Sequence, residues 1–143
     1  MEQLKDIYIS EFMVKNVHHL KKGQKMWDAY ETMKIHGIRH LPVVDQQGLL
    51  LGVLSDTDLA KSYSPRVTDA GWYYDQSELN AIEPARFMTD DPVTLTPEDT
   101  LKKACEVMAR NKFGCIPIVE SGTKKLAGII THVDILKKIA SLF

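Results

Sequence analysis

The sequence has no long apolar run. Its longest, Leu49 to Leu54, already contains Gly52 and falls far short of the ~20 residues that a membrane-spanning helix needs. The opening MEQLKD lacks the basic-then-apolar layout of a signal peptide, so a cytoplasmic protein is expected. Cysteine is scarce. Cys105 lies in a helical pattern and Cys115 abuts the strand-like IPIV; their spacing matches no zinc motif, and reduced, mostly buried thiols are expected. There is no glycine-rich phosphate loop, no nucleophile elbow and no recognisable catalytic constellation, which argues against an enzyme. Neither sign of charge dominates. With a formal net charge of -1 the chain has no general attraction for nucleic acid or an anionic membrane, and any anion site must be local.

What the chain does have is a repeat, the feature to settle before any fold is assigned. Phe12-Met13 recurs as Phe87-Met88, Ala29 as Ala104, Met33 as Met108, and Leu41-Pro42-Val43-Val44 as Ile116-Pro117-Ile118-Val119, at a constant offset of 75 positions. After one inserted residue, Gly52-Val-Leu-Ser55-Asp-Thr-Asp58-Leu59 matches Gly128-Ile-Ile-Thr131-His-Val-Asp134-Ile135.

Met26, Ala29, Tyr30 and Met33 share one helical stripe, as do Leu101, Ala104, Cys105 and Met108, so each copy contains an amphipathic helix. Gly37 and the Phe113-Gly114 step are expected to end these helices. Two short apolar segments around a polar turn then read as paired strands, and a second helix starts after Ser55 and after Thr131. The order is strand, helix, strand, strand, helix, twice: an α/β (α+β) fold of two pseudo-symmetric repeats packed through their sheets. The first repeat is placed at 8–62, a connector at 63–84 and the second repeat at 85–143. The connector carries Trp72-Tyr73-Tyr74, for which two roles stay open: covering an exposed edge or subunit contact, or stacking on a ligand.

Met13 and Val17 with Met88 and Val93, the hydrophobic-Pro-hydrophobic-Val strands, and the Gly-x-x-[Ser/Thr]-x-x-Asp close of each copy together resemble a tandem pair of cystathionine-beta-synthase (CBS) domains, also called a Bateman module. The likeness runs from about Phe12 to Leu136, and with no further domain attached it is to the stand-alone pairs. It implies disc-like homodimers and a regulatory role exercised on an effector protein, with AMP, ADP, ATP or S-adenosylmethionine bound in clefts between the repeats.

Ser55-x-x-Asp58 and Thr131-x-x-Asp134 are also capping boxes, which by themselves only start helices. In the CBS context they gain a second role. A helix N-terminus suits a phosphate, a hydroxyl can add a hydrogen bond, and a carboxylate one turn in can accept both hydroxyls of a ribose. The resemblance implies that one cleft joins Thr131 and Asp134 to Lys15, Val17, Ile38, Arg39 and His40, and the other joins Ser55 and Asp58 to Asp91, Val93, Phe113, Gly114 and Cys115. Lys15 and Arg39 favour a phosphorylated nucleotide in the first; Asp91, beside Asp90, disfavours one in the second. The sulfonium of S-adenosylmethionine would tolerate that acidic cleft better. A ligand-free dimerisation or docking module is the competing function. Arg39 could instead pair with a surface carboxylate and His40 could cover a strand end. His36 and His40 have the spacing of a metal pair, but Gly37 interrupts the helix between them, and no metal site is expected. Lys137-Lys138 suit the end of a helix.

Overall fold

The computed structural model describes residues 7–143; the N-terminal hexapeptide read above for a signal layout lies outside the described residues. After a 3-10 turn at Ile9–Glu11, the first repeat contains β1 (Leu20–Lys21), α1 (Met26–His36), β2 (His40–Val44), β3 (Leu50–Ser55) and α2 (Asp56–Ser62). The connector contributes β4 (Arg66–Thr68), β5 (Gly71–Tyr73), α3 (Gln76–Leu79) and a 3-10 turn at Pro84–Arg86. The second repeat then runs through β6 (Thr89–Asp90), α4 (Leu101–Asn111), β7 (Cys115–Val119), β8 (Leu126–Thr131) and α5 (His132–Ala140). Among the described residues no helix is long and apolar enough to cross a membrane.

Local chemistry accounts for the helix boundaries. On α1 the stripe Met26, Ala29 and Met33 is buried, and on α4 Leu101, Ala104 and Met108 are, one face of a 3.6-residue period in each case. The Lys25 N–H donates to Asp28 Oδ2 at 2.8 Å at the start of α1, and the Lys103 N–H donates to the Thr100 hydroxyl at 3.2 Å at the start of α4. Gly37 ends α1 in the left-handed region with φ 62, as expected. In the second repeat the stop differs from the expected Phe113-Gly114 step: it is Lys112, at φ 57, whose N–H donates to the Met108 carbonyl at 2.9 Å. The backbone adopts the same cap in both copies, although only one of them has the glycine that favours it.

The chain divides into two compact units, and these do not coincide with the two sequence copies. One unit contains the described residues up to Val17 together with Pro92–Phe143, the other contains His18–Asp91. In the second of these, a four-stranded sheet has the order β1-β2-β3-β6, with β6 pairing antiparallel to β3 through Gly52–Asp90 and Val53–Thr89. In the first, β7 pairs with β8, Val14 bridges antiparallel to Ile129, and Leu95 bridges parallel to Ile118. Each opening segment is therefore paired with the closing strand of the other copy. The opening strands are short, a single bridge at Val14 and two residues at β6.

Glycine makes this exchange possible. A Cβ on Gly52 would stand 2.6 Å from the Thr89 carbonyl oxygen, and one on Gly128 would stand 2.7 Å from that of Val14. Neither approach leaves room for a side chain.

The connector is more ordered than a sequence that departs from the repeat suggests. β4 and β5 form a hairpin, the Arg66 guanidinium donates to Glu78 Oε1 at 3.0 Å, and Asp75 Oδ1 accepts from the Glu78 N–H at 3.1 Å to start α3. Tyr74 meets Tyr30 edge-on at 4.9 Å, while Trp72 remains 62% exposed.

Candidate ligand site

The site begins with the residues that end β3 and β8. His40 lies opposite Ser55 in the first-copy hairpin, and Cys115 lies opposite Thr131 in the second. At each point the chain turns directly from strand to helix, so backbone N–H groups of the first helical turn face outward without helical partners. The Asp56 N–H is taken up by the Arg39 carbonyl at 2.9 Å.

The two hydroxyl-x-x-Asp motifs form hydrogen-bonded boxes of different kinds. In the first, the Ser55 N–H donates to Asp58 Oδ2 at 2.8 Å and the Asp58 N–H donates to Ser55 Oγ at 3.1 Å. In the second, both the N–H and the Oγ1–H of Thr131 donate to Asp134 Oδ2, at 2.9 and 3.0 Å. The box is closed in both directions only in the first, where the Ser55 hydroxyl caps the helix, and each box leaves its carboxylate with a second oxygen. Among the described residues no hydrogen bond reaches Oδ1 of either aspartate. Asp134 is the more firmly held, by two donors on one oxygen, with the other oxygen able to accept. Both aspartates are half-buried, and no charged side chain among the described residues is fully buried.

The surroundings differ in charge. The first residue of α5 is His132, that of α2 is Asp56. Exposed Lys15 follows Val14, whose bridge partner Ile129 lies two residues before Thr131. In the other unit Asp90 pairs with Gly52 and the Asp91 N–H donates to the Leu51 carbonyl at 3.2 Å, so Asp56, Asp58, Asp90 and Asp91 are all attached to β3 or the helix that follows it. Asp91 has φ 44, an uncommon value for a residue other than glycine; the sequence marks the residue for its charge, not for this backbone angle.

The residues expected in one cleft are shared between the units. Lys15, Val17, Thr131 and Asp134 belong to one unit, as do Val93, Phe113, Gly114 and Cys115; Ile38, Arg39, His40, Ser55, Asp58 and Asp91 belong to the other. The His36 ring stacks on His18 with centroids 3.6 Å apart, and among the described residues no group of three or more His, Cys, Asp or Glu side chains could hold a metal ion. The thiols are free. Burial pushes Cys115 up to about 12 and also raises Cys105, with a smaller contribution from Glu106, so both are neutral thiols near pH 7.

A CBS domain family model matches residues 9–65 and 84–141. An uncharacterized protein of Methanocaldococcus jannaschii is 30% identical over 138 residues, a match that covers 92% of this chain and 47% of that protein. The homoserine O-acetyltransferase of Methanohalobium evestigatum is 25% identical over 136 residues, 95% of this chain and 25% of that enzyme. The chain thus spans less than half the length of these two curated relatives. Among solved structures, that of CBSX2 in complex with AMP, a protein of Arabidopsis thaliana, superposes with a TM-score of 0.79 and 25% identity, covering 95% of this chain and 98% of that one.

Proposed function

The chain belongs to the CBS domain family, and from that premise we propose that it is a non-enzymatic regulatory module that senses an adenine nucleotide, AMP, ADP or ATP, in a cleft completed by both repeats. The observation that carries this reading is the state of Asp134. Its Oδ2 is fixed by two donors from Thr131 and its Oδ1 accepts nothing among the described residues, the arrangement a carboxylate needs to receive ribose hydroxyls without first reorganising. The AMP bound by CBSX2 supports the ligand class. Lys15, in the same unit as Asp134, supplies charge that favours a phosphate, and Val17 lies in that unit with it.

A second reading of the other cleft rests on its carboxylates. Asp56, Asp58, Asp90 and Asp91 around β3 and α2 repel phosphate and favour a cationic adenosyl ligand such as S-adenosylmethionine. We place the protein in the cytoplasm as a homodimer that passes ligand occupancy to an effector protein. The coupling is a linkage: the ligand shifts the arrangement of the repeats by no more than the difference in its affinity for the alternatives. A thermal-shift panel of AMP, ADP, ATP and S-adenosylmethionine tests the ligand class. A specific binder at a hundredfold over its Kd adds about 2.7 kcal/mol to the apparent stability; an unmoved transition with all four points to the ligand-free docking function instead.

A further inference from the structure

Two of the five histidines form a contact that the ligand site does not use. The rings of His18, two residues before β1, and His36, the last residue of α1, stack with centroids 3.6 Å apart and planes 16° from parallel. Both side chains are exposed, so burial does not force them together. The fold does not require the contact either. At the matching positions the second repeat has Val93 and Asn111; Val93 is 44% exposed, and the Asn111 amide donates back to the Val107 carbonyl of its own helix at 2.9 Å.

The chain passes from one compact unit to the other between Val17 and His18, so the stack ties the first residue of the second unit to the end of α1. Lys15 and Val17, which belong to the proposed nucleotide cleft, lie just before this anchor. Its surroundings make it sensitive to acid. Imidazole gains its proton between about pH 8 and pH 5; a pair holding no more than one proton stacks without repulsion, whereas two charged rings this close repel. Among the described residues no carboxylate forms a hydrogen bond or ion pair with either ring. Exposed His19 and Lys21 flank His18, exposed Lys34 and Arg39 flank His36, and His40 opens the neighbouring β2; all are cationic or become so in acid. The nearest acidic residues face elsewhere. Asp28 accepts from the Lys25 N–H at 2.8 Å, Asp45, past the far end of β2, accepts from the Gln47 and Leu49 N–H groups, and Glu31, five residues from His36, stands about 140° around the helix. The C-terminal dipole of α1 favours one charge, on His36, and a second, on His18, has nothing to offset it.

We infer that His18 and His36 form an acid-sensitive clamp on the segment that carries Lys15 and Val17, closed while the pair holds at most one proton and opened by the second. The second proton is taken up more readily with the rings apart, so acid favours the open state. The stability that the clamp supplies is therefore present at neutral pH and lost as the pH falls. Its bearing on ligand control rests on the nucleotide reading above; the clamp itself does not.

Thermal melts of the full chain at about pH 7.5 and pH 5, without nucleotide, test the clamp through His18→Val, His36→Asn and the double variant, which carry the residues that the second repeat accepts at these positions. The melting-temperature advantage of the wild type over each variant is expected to shrink by about 2–4 °C on going to the lower pH. The double variant is expected to match the singles in this shrinkage, because removing either ring already removes the stack. Hydrogen exchange at the Val14 amide is expected to be at least about threefold faster in His36→Asn than in the wild type at the higher pH, and equal in the two at the lower. An advantage that is the same at both pH values, or single-variant effects that add in the double, overturns the clamp. Val14 exchange that His36→Asn leaves unchanged at the higher pH overturns its hold on the segment. A thermal-shift panel in which no nucleotide binds overturns the ligand reading and leaves these readouts in place.

Discussion

Lys112 occupies a left-handed position, φ 57, that the first copy gives to Gly37 at φ 62. A side chain there costs energy that glycine avoids, so Lys112→Gly is expected to stabilise the protein by about 0.5–1 kcal/mol, raising the melting temperature by about 2–4 °C. Gly37→Ala is expected to lower it by a similar amount. Paired calorimetric melts check both. Cys115 supplies a pH dependence. Its thiol is raised by burial from 9.0 to about 12, so the folded state holds this proton more tightly than the unfolded chain does. The stability it contributes is fully present below pH 9 and is lost as the pH rises toward 12. Replacing it with valine removes the titration, and urea melts of Cys115→Val should fall less steeply over that window than those of the wild type. At this scale the sequence was legible where a residue type states its own purpose, as with Ser55, Asp58, Thr131 and Asp134. It was silent where backbone geometry was imposed from outside, as at Lys112 and Asp91.

At the scale of elements, the starts of α2 and α5 fall where the boxes place them, directly after Ser55 and Thr131, because a cap is a local signal carried within four residues. The opening segments could not be read the same way. Met13 and Val17 look like the start of a strand in their own repeat, but Val14 pairs with Ile129 and Thr89 with Val53, a choice of partner that depends on contacts far apart in sequence. The sign that could have revealed it is the glycine that opens each Gly-x-x-[Ser/Thr] motif, kept small because another backbone crosses there. Gly128→Ala would force a Cβ to within 2.7 Å of the Val14 carbonyl oxygen and is expected to destabilise the protein by about 1–3 kcal/mol. Hydrogen exchange at the Val14 and Ile129 amides, which donate to each other's carbonyls at 2.9 and 3.0 Å, should accelerate before exchange in α4 does. In the aromatic connector Tyr74 covers α1 and meets Trp72 edge-on at 5.7 Å, while Trp72 and Tyr73 remain 62% and 49% exposed.

For the whole molecule, the exchange of opening segments changes what the repeat means. Each compact unit is built from both copies, which ties Lys15 and Val17 to the unit of Thr131 and Asp134, and Asp90 and Asp91 to that of Ser55 and Asp58. The charge difference between the two boxes follows from that tie, with Lys15 in the unit of one and Asp90 and Asp91 attached to β3 beside the other. It makes the proposed sites unequal, one for a phosphorylated nucleotide and one for a neutral or cationic adenosyl group. The central claim is that Asp134 anchors the nucleotide, and calorimetric titration of AMP into the wild type, Asp134→Ala and Asp58→Ala tests it most directly. The account predicts that Asp134→Ala weakens AMP at least about a hundredfold, more than 2.7 kcal/mol, while Asp58→Ala leaves the tight site in place. Undiminished affinity in a folded Asp134→Ala protein would contradict it.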